Sequence, residues 1–413
     1  MKNKRTIRQF AAEVWRATVS FFMNPRNLFI VGILLVTALS LSEVLRDRHK
    51  NFMIFAESTR MFWSGTAPYG SNWAEAHPEL DYFLYGPLFN ILFAPFAYLP
   101  AKVGPVVWNL FNFTVWFFAI FSLPRLSRED KCRSFLYTLL ILGCTQLSFQ
   151  YNVIVGSIFL FAYTLLERKC DFWAIVLLLV SGFTKVYGFF GLGMLLLYPP
   201  PRRFAKGCLW AVLVSAAFIL APAVNMPLGE LPGYYGEWFS ALFEHKDTRT
   251  WMNFFYLRPF DVLLPYRVWV QAGVLALLGG ALLMAVRNCR IPMVRLSALA
   301  AIMGYSLLFS NSTESHTYVI FLAGYMAWYW TMKRAGALTA ADRVLCWAAF
   351  IVVVVMPVDV ICPVKLMQVF YDVQLNLWLL LVMWLRICCT AFVRVPAAFV
   401  PEPAPAPAQN VKR

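Results

Sequence analysis

Residues 28–45 read LFIVGILLVTALSLSEVL, and residues 46–82 continue RDRHKNFMIFAESTRMFWSGTAPYGSNWAEAHPELDY. The junction between them decides the fold. The first stretch is long and apolar enough to cross a hydrocarbon core of about 30 Å as a helix. The second is a polar loop that precedes a long series of further apolar runs. It carries two of the four histidines, His49 and His77, and an amphipathic helical pattern ending in Gly65. A chain that only sealed a membrane would need a few polar residues there. A loop of this length points to a site at the bilayer surface.

The composition agrees. Hydrophobic residues make up 60% of the 413 and charged residues 14%, against roughly 45–50% apolar in soluble domains. The 37 Phe and 15 Trp suit a lipid-facing protein with aromatic belts. Apolar segments fall near 28–45, 83–99, 104–123, 134–150, 153–167, 172–185, 187–198, 207–224, 267–286, 293–310, 316–332, 343–361 and 373–391. The expectation is an all-α polytopic membrane protein of about twelve spans.

Basic residues set the orientation. Lys2, Lys4, Arg5, Arg8, Arg16 and Arg26 precede the first span, so the N-terminus is expected in the cytoplasm. Arg125–Arg133, Arg168–Lys169, Arg202–Lys206, Arg287–Arg290, Lys333–Arg334 and the tail from Arg386 follow the same side. The net charge of +15 is then mostly topology, and nucleic-acid binding is not expected. Two cytoplasmic ends need an even number of crossings, yet thirteen segments are present. Either 83–99, broken by Gly86, Pro87 and Pro95, is re-entrant, or the Arg125 cluster lies outside. Irregular backbone at membrane depth survives only beside protein or a wet cavity.

Residues 7–22 place Ile7, Phe10, Ala11, Val14, Thr18 and Phe21 on one helical face, so 1–26 reads as a cytoplasmic interfacial helix. The transmembrane region is expected over 27–393, with external loops at 46–82, 225–266 and 311–316. The Pro/Ala-rich remainder, 394–413, reads as a disordered tail. The 26 residues before the first span make that span a retained anchor. The nine cysteines show neither a disulfide framework nor zinc-ligand spacing.

All three polar loops fall on one side, and the candidate chemistry gathers with them. Asp47, Glu57, Glu75, Glu79 and Asp81 could each take a proton from a hydroxyl. Their spacing singles none out, and each reads equally as a solvated side chain. Lys185, in FTKVYGFF, interrupts two apolar runs. An ionisable group there is costly. It either meets a lipid phosphate at the outer tip of a hairpin or snorkels from a helix end. Gln150 and Asn152 open a span as hydroxyl binders or as helix-end polar residues. His316, two residues after Glu314, contacts phosphate, shuttles protons or is structural.

Taken in order, several stretches resemble glycosyltransferase family 87 of the GT-C superfamily, whose members are α-mannosyltransferase-like. These are Asn51-Phe52-Met53-Ile54-Phe55, Gly65-Thr66-Ala67-Pro68-Tyr69, Tyr85-Gly86-Pro87-Leu88, Leu99-Pro100, Gln150-Tyr151-Asn152, Lys185, and Ser312 to Tyr318. The resemblance covers roughly 28–332. It implies a metal-independent, cofactor-free hexosyltransferase of the plasma (inner) membrane, with external loops forming the active-site cavity. The implied partners are a polyprenyl-phosphate sugar donor, a lipid or glycan acceptor and membrane lipids.

The family also places an aspartate base in the first loop, and this chain departs there. Asn51 stands at that position, and an amide cannot act as a base. Asp47 is the nearest substitute, with Glu57 and Asp81 behind it. The remaining implied roles are phosphate binding for Lys185, His316 and Arg60. Sugar or acceptor binding falls to Asn51, Gln150, Asn152, Tyr69 and Glu314, and stacking on sugar faces to Trp73, Tyr234, Tyr235 and Trp238. Two other classes stay open: a lipid or polysaccharide transporter or flippase, and an inactive homologue.

Overall fold

The computed structural model describes residues 7–244, 253–310, 313–358 and 361–399. Ser312, Asp359, the first six residues and most of the tail lie outside the described residues. Within the described residues the regular structure is helical throughout. The chain opens with α1 (Ile7–Phe22) and α2 (Pro25–Leu45). The polar loop holds α3 (Lys50–Trp63) and α4 (Gly70–Ala76), and α5 (Pro87–Ala97) follows it. Next come α6 (Gly104–Ser122), α7 (Arg128–Leu147), α8 (Asn152–Glu167) and α9 (Asp171–Lys185). A short α10 (Tyr187–Gly191) runs on as a 3-10 helix to Leu197, before α11 (Pro201–Leu220). The second loop contains α12 (Leu231–Glu244). The chain closes with α13 (Arg267–Ala285), α14 (Pro292–Leu308), α15 (Val319–Arg334), α16 (Ala340–Ala349), α17 (Val364–Asp372) and α18 (Leu375–Cys388). A 3-10 turn at Ala397–Phe399 falls in the stretch expected to be disordered.

Local signals start these helices where the sequence carries them. Asn24 caps α2 by accepting from the Arg26 N–H, and Pro25 takes the first helical position, where no N–H is needed. Ser127 caps α7 through the Asp130 N–H, with Glu129 and Asp130 in the first turn. Thr339 and Asp342 form a reciprocal capping box on α16.

Among the described residues, five helical stretches are long and apolar enough to cross a membrane: Pro25–Leu45, Gly104–Ser122, Pro201–Val224, Phe260–Asn288 and Leu375–Val393. Pro87–Ala97, Asn152–Glu167, Tyr187–Leu197 and Pro292–Leu308 are apolar but shorter. The protein is therefore an all-α membrane protein. With 11 residues, α5 is about 16 Å long at 1.5 Å per residue. That is half of what a crossing needs.

The two ends of the bundle differ chemically. One end gathers ion pairs. Glu167 at the end of α8 holds Arg295 of α14, with Nε at 2.5 Å and Nη2 at 3.0 Å, and accepts from the Tyr198 hydroxyl at 3.1 Å. Arg203 of α11 binds Asp171 of α9 through Nε at 2.6 Å. Arg334 of α15 pairs with Asp130 of α7, and Arg386 of α18 with Asp342 of α16. The other end receives the end of α7, the start of α8, the end of α9 and the start of α15, together with α3 and α5.

At that second end, α3 packs its apolar face inward. Phe52, Phe55, Thr59 and Phe62 are all buried, and Phe55 meets the rings of Tyr85, Phe89 and Phe93 at 5.0–5.5 Å. The amphipathic pattern of the first loop is thus covered by protein. In contrast, Phe10, Val14, Trp15 and Phe21 of α1 stay exposed.

A close approach fixes the return at the end of α9. A Cβ on Gly188 would collide with the Leu178 carbonyl and approach the Gly182 nitrogen to 2.6 Å. Gly188→Ala is therefore expected to cost about 1–3 kcal/mol and to lower the unfolding midpoint of the detergent-purified protein. An unchanged midpoint would rule out this packing.

Candidate active site

The site is assembled from chain ends that converge on the second face of the bundle. They enclose a cavity of about 630 Å³. The first loop and the turn after it contribute Asn51, Asp81, Tyr82, Leu84 and Tyr85, the start of α8 brings Gln150 and Asn152, and α9 and α10 bring Lys185, Val186, Tyr187 and Phe190. Leu242 and Phe243 of α12, Leu275 of α13, and Tyr305 and Phe309 at the end of α14 form an apolar and aromatic wall, with Gln271, Ser306 and Ser310 beside them. Glu314, His316 and Thr317 complete the lining.

Backbone strain sets the position of Lys185. Val186 joins α9 to α10 at φ 57° and ψ −37°. A β-branched residue with positive φ is a genuine outlier and costs on the order of 1–3 kcal/mol. The neighbouring backbone holds it there: the Val186 N–H donates to the Gly182 carbonyl at 2.9 Å, and the Gly86 N–H donates to the Thr184 carbonyl at 2.9 Å. A Cβ on Gly86 would collide with the Phe183 carbonyl, so only glycine lets the first loop return this closely.

The Lys185 ammonium donates to Asn152 Oδ1 at 2.6 Å. It also sits 5.4 Å from the Tyr85 ring centroid and 5.6 Å from that of Tyr187, within cation–π range. On the facing side, Glu314 and Thr317 form a capping box around the 3-10 turn Ser315–Tyr318. His316 Nε2 lies 2.7 Å from Glu314 Oε2, and the His316 carbonyl accepts from the Thr145 hydroxyl at 3.0 Å. The hydrogen bond from His316 holds the Glu314 carboxyl below its ordinary value. Burial opposes this, and the charges of His316 and Lys185 reinforce it.

The residues singled out from sequence divide into two groups. Asn51, Asp81, Gln150, Asn152, Lys185, Glu314 and His316 line one cavity. Asp47, Glu57, Arg60 and Tyr69 do not. Asp47 is exposed just beyond α2, in a left-handed conformation. Glu57 and Arg60 pair with each other, and Arg60 Nη2 reaches the Ala97 carbonyl at 2.7 Å. Tyr69 is buried and donates to the Tyr85 carbonyl at 2.7 Å, bracing the cavity wall from behind. Trp73 and Trp238 do the same through the carbonyls of Asp81 and Leu84. The Tyr234 hydroxyl accepts from Asn90, and Tyr235 donates to the Phe218 carbonyl. These four rings are outside the lining and form the frame around it.

The family profile of glycosyltransferase family 87 matches residues 83–311. The chain belongs to glycosyltransferase family 87. No curated protein and no solved structure matches it. Family 87 membership makes the chain a glycosyltransferase, and its apolar helices make it a membrane one. The matched segment holds Tyr85, Gln150, Asn152, Lys185 and Tyr187, whereas Asn51, Asp81, Glu314 and His316 come from outside it.

Sequence reading overlooked Tyr187, Gln271, Tyr305 and Ser310. The Tyr187 and Ser310 hydroxyls are 2.6 Å apart. Gln271 donates to the Phe309 carbonyl at 2.7 Å, and its own carbonyl accepts from Tyr305 at 3.0 Å. One signal was present: Gln271 is a lone amide in the apolar run of α13.

Asn51 Nδ2 donates to the Ser148 carbonyl at 2.8 Å. This carbonyl lies at the negative end of α7, where a carboxylate would be repelled. Asn51→Asp is therefore expected to lower the unfolding midpoint at neutral pH, by a few degrees if about 1 kcal/mol is lost. A midpoint at or above that of the unaltered protein would refute this. Acid provides a second check. The depressed Glu314 group contributes stability that is complete above 4.5, its ordinary value, and lost as pH falls through its lower folded value. Glu314→Gln should remove that acid-dependent component from the midpoint-against-pH curve.

Proposed function

We propose that this chain transfers a hexose or pentose from a polyprenyl-phosphate donor to a hydroxyl of a lipid or glycan acceptor. The observation that carries this reading is the convergence of Lys185, His316 and Asp81 on one cavity. Two cationic or proton-bearing groups suit a phosphate whose charge grows as it leaves. A carboxylate at the same cavity suits the proton that the acceptor must lose. Of the two carboxylates in the lining, Glu314 is engaged by His316. Asp81 has no ion-pair partner among the described residues, and it replaces Asp47 and Glu57 as the preferred base.

In this mechanism the acceptor oxygen bonds to the anomeric carbon as the bond from that carbon to the phosphate oxygen breaks. The acceptor proton passes to Asp81, and the polyprenyl phosphate departs beside Lys185 and His316. Gln150 and Asn51 face the sugar or the acceptor. The apolar wall of Leu242, Phe243, Leu275 and Phe309 suits a lipid portion.

The membrane arrangement we propose has twelve crossings: α2, α6, α7, α8, α9, α10 with its 3-10 extension, α11, α13, α14, α15, α16 with its continuation, and α18. Here α5 is the re-entrant element that restores even parity. The α10 segment with its extension is equally short but counts as a crossing, because it runs from Lys185 at the cavity to Tyr198 beside Glu167 at the ion-paired end. The ion-paired, Arg-rich end faces the cytoplasm with both termini, and the cavity faces the opposite side of a plasma (inner) membrane. Every lining residue comes from the cavity end. A transporter would need polar groups leading to both ends, so this favours surface chemistry.

Membranes containing the protein, incubated with a panel of radiolabelled polyprenyl-phosphate sugars, should transfer label from one donor to a lipid or glycan. Asp81→Asn should lower kcat by about a hundredfold or more. Full transfer by both Lys185→Ala and His316→Ala would overturn the phosphate clamp. Absence of transfer from every donor would instead support the inactive homologue.

A further inference from the structure

Asn152 was expected to bind sugar, and its surroundings argue for a different task. It opens α8 and exposes only 1% of its surface. Its amide is used on both sides. Oδ1 accepts from Lys185 Nζ at 2.6 Å, and Nδ2 donates to the Thr317 hydroxyl at 3.3 Å. That hydroxyl also accepts from the Glu314 N–H at 3.3 Å, and the Glu314 carboxylate meets His316. A continuous chain of contacts therefore runs Lys185–Asn152–Thr317–Glu314–His316. It joins the end of α9 to the turn before α15 through the first residue of α8.

The chemistry of the link matters as much as its path. The groups that touch Lys185 are an amide carbonyl and two tyrosine rings. Each stabilises an ammonium through a dipole or a quadrupole, without supplying a negative charge. Among the described residues, the carboxylate acting on Lys185 is Glu314, and its nearer partner is His316. A carboxylate at 152 would keep the size and the contact to Lys185 but would neutralise it. It would also remove the N–H that reaches Thr317.

Resting on the phosphate-clamp reading above, we infer that Asn152 is a positioning residue: it holds Lys185 in register with the His316 turn while leaving the ammonium charge available to an anion. Asn152 does not contact the sugar.

The test is a double-mutant cycle on the detergent-purified full chain, with farnesyl phosphate as the anion probe and farnesol as its uncharged control. The readouts are the shift in unfolding midpoint and the apparent affinity. Asn152→Ala and Asn152→Asp should each weaken farnesyl phosphate binding roughly tenfold to a hundredfold, leaving farnesol unaffected. Asn152→Asp should be at least as severe. In a Lys185→Ala background, Asn152→Ala should add little, because the two residues act through one contact. Where a transferred donor is known, KM for that donor should rise more than kcat falls.

Wild-type binding by Asn152→Asp would overturn the inference, and so would losses that multiply in the double variant. If Asn152→Ala fails to fold, Asn152→Asp, which preserves volume, decides the question alone. Failure of the underlying reading looks different: Lys185→Ala by itself would then bind farnesyl phosphate normally. A weakened Lys185→Ala with multiplying losses overturns the role of Asn152 and leaves the clamp standing.

Discussion

The C-terminal end of α7 imposes the constraint on which the site depends. A helix leaves its last four carbonyls without partners, and in a membrane protein little water is available to satisfy them. Here the N–H groups of Ser148, Phe149 and Gln150 turn back onto the carbonyls of Cys144, Gln146 and Thr145, and three side chains from other elements supply further donors to this turn. Asn109 Nδ2 meets the Gln146 carbonyl at 2.8 Å, Asn51 Nδ2 the Ser148 carbonyl at 2.8 Å, and Trp108 Nε1 the Phe149 carbonyl at 3.1 Å. Phe149 adopts φ 50° in the same turn, which lets the chain reverse into Gln150 and Asn152. The first loop, α6 and α7 are thereby fastened together at the floor of the cavity. Thr145, one turn earlier, carries this order to His316.

This fastening explains how a region of strained and broken backbone keeps a defined shape. Positive φ at Phe149 and Val186 flanks the two segments that deliver Gln150, Asn152 and Lys185. Strain of this kind persists where the surroundings over-determine it, and buried rings surround both places. Tyr85 packs on Phe55, Phe89 and Tyr151 at 4.7–5.6 Å, and Trp108 lies parallel to Tyr151. Part of the high aromatic content builds this wall, while rings such as Trp15, Trp173, Trp269 and Trp347 stay exposed.

Much of the fold was legible because hydrophobic runs report membrane helices directly. Helix α3, its end near Gly65 and the interruption at Lys185 followed from periodicity and from the cost of a buried charge. The site was legible only in part. Lys185, Gln150, Asn152 and His316 stood out as polar residues at the edges of apolar runs, and they meet in one cavity. Asp81 could not be ranked above Asp47 or Glu57, since all three lie in one polar loop. Their separation depends on how that loop folds: α4 and Trp73 fix the backbone at Asp81, whereas Glu57 faces Arg60 on the far side of α3. The roles assigned to Tyr69, Tyr234 and Trp238 were equally undetermined, because a buried frame and an open platform are built from the same aromatic residues.

Asn51 has a structural task at its position. An aspartate there would bring a negative charge to the carbonyl end of α7, where Asn51 now donates. With the amide committed to the backbone, the carboxylates on the cavity wall are Asp81 and Glu314. Asp81 lies on the same loop, beyond α4, and Trp73 grips its carbonyl. Asp81 is exposed to solvent. Asn51 and Asp81 thus stand apart in this packing: an amide closes the carbonyl end of α7, and an exposed carboxylate stands on the cavity wall.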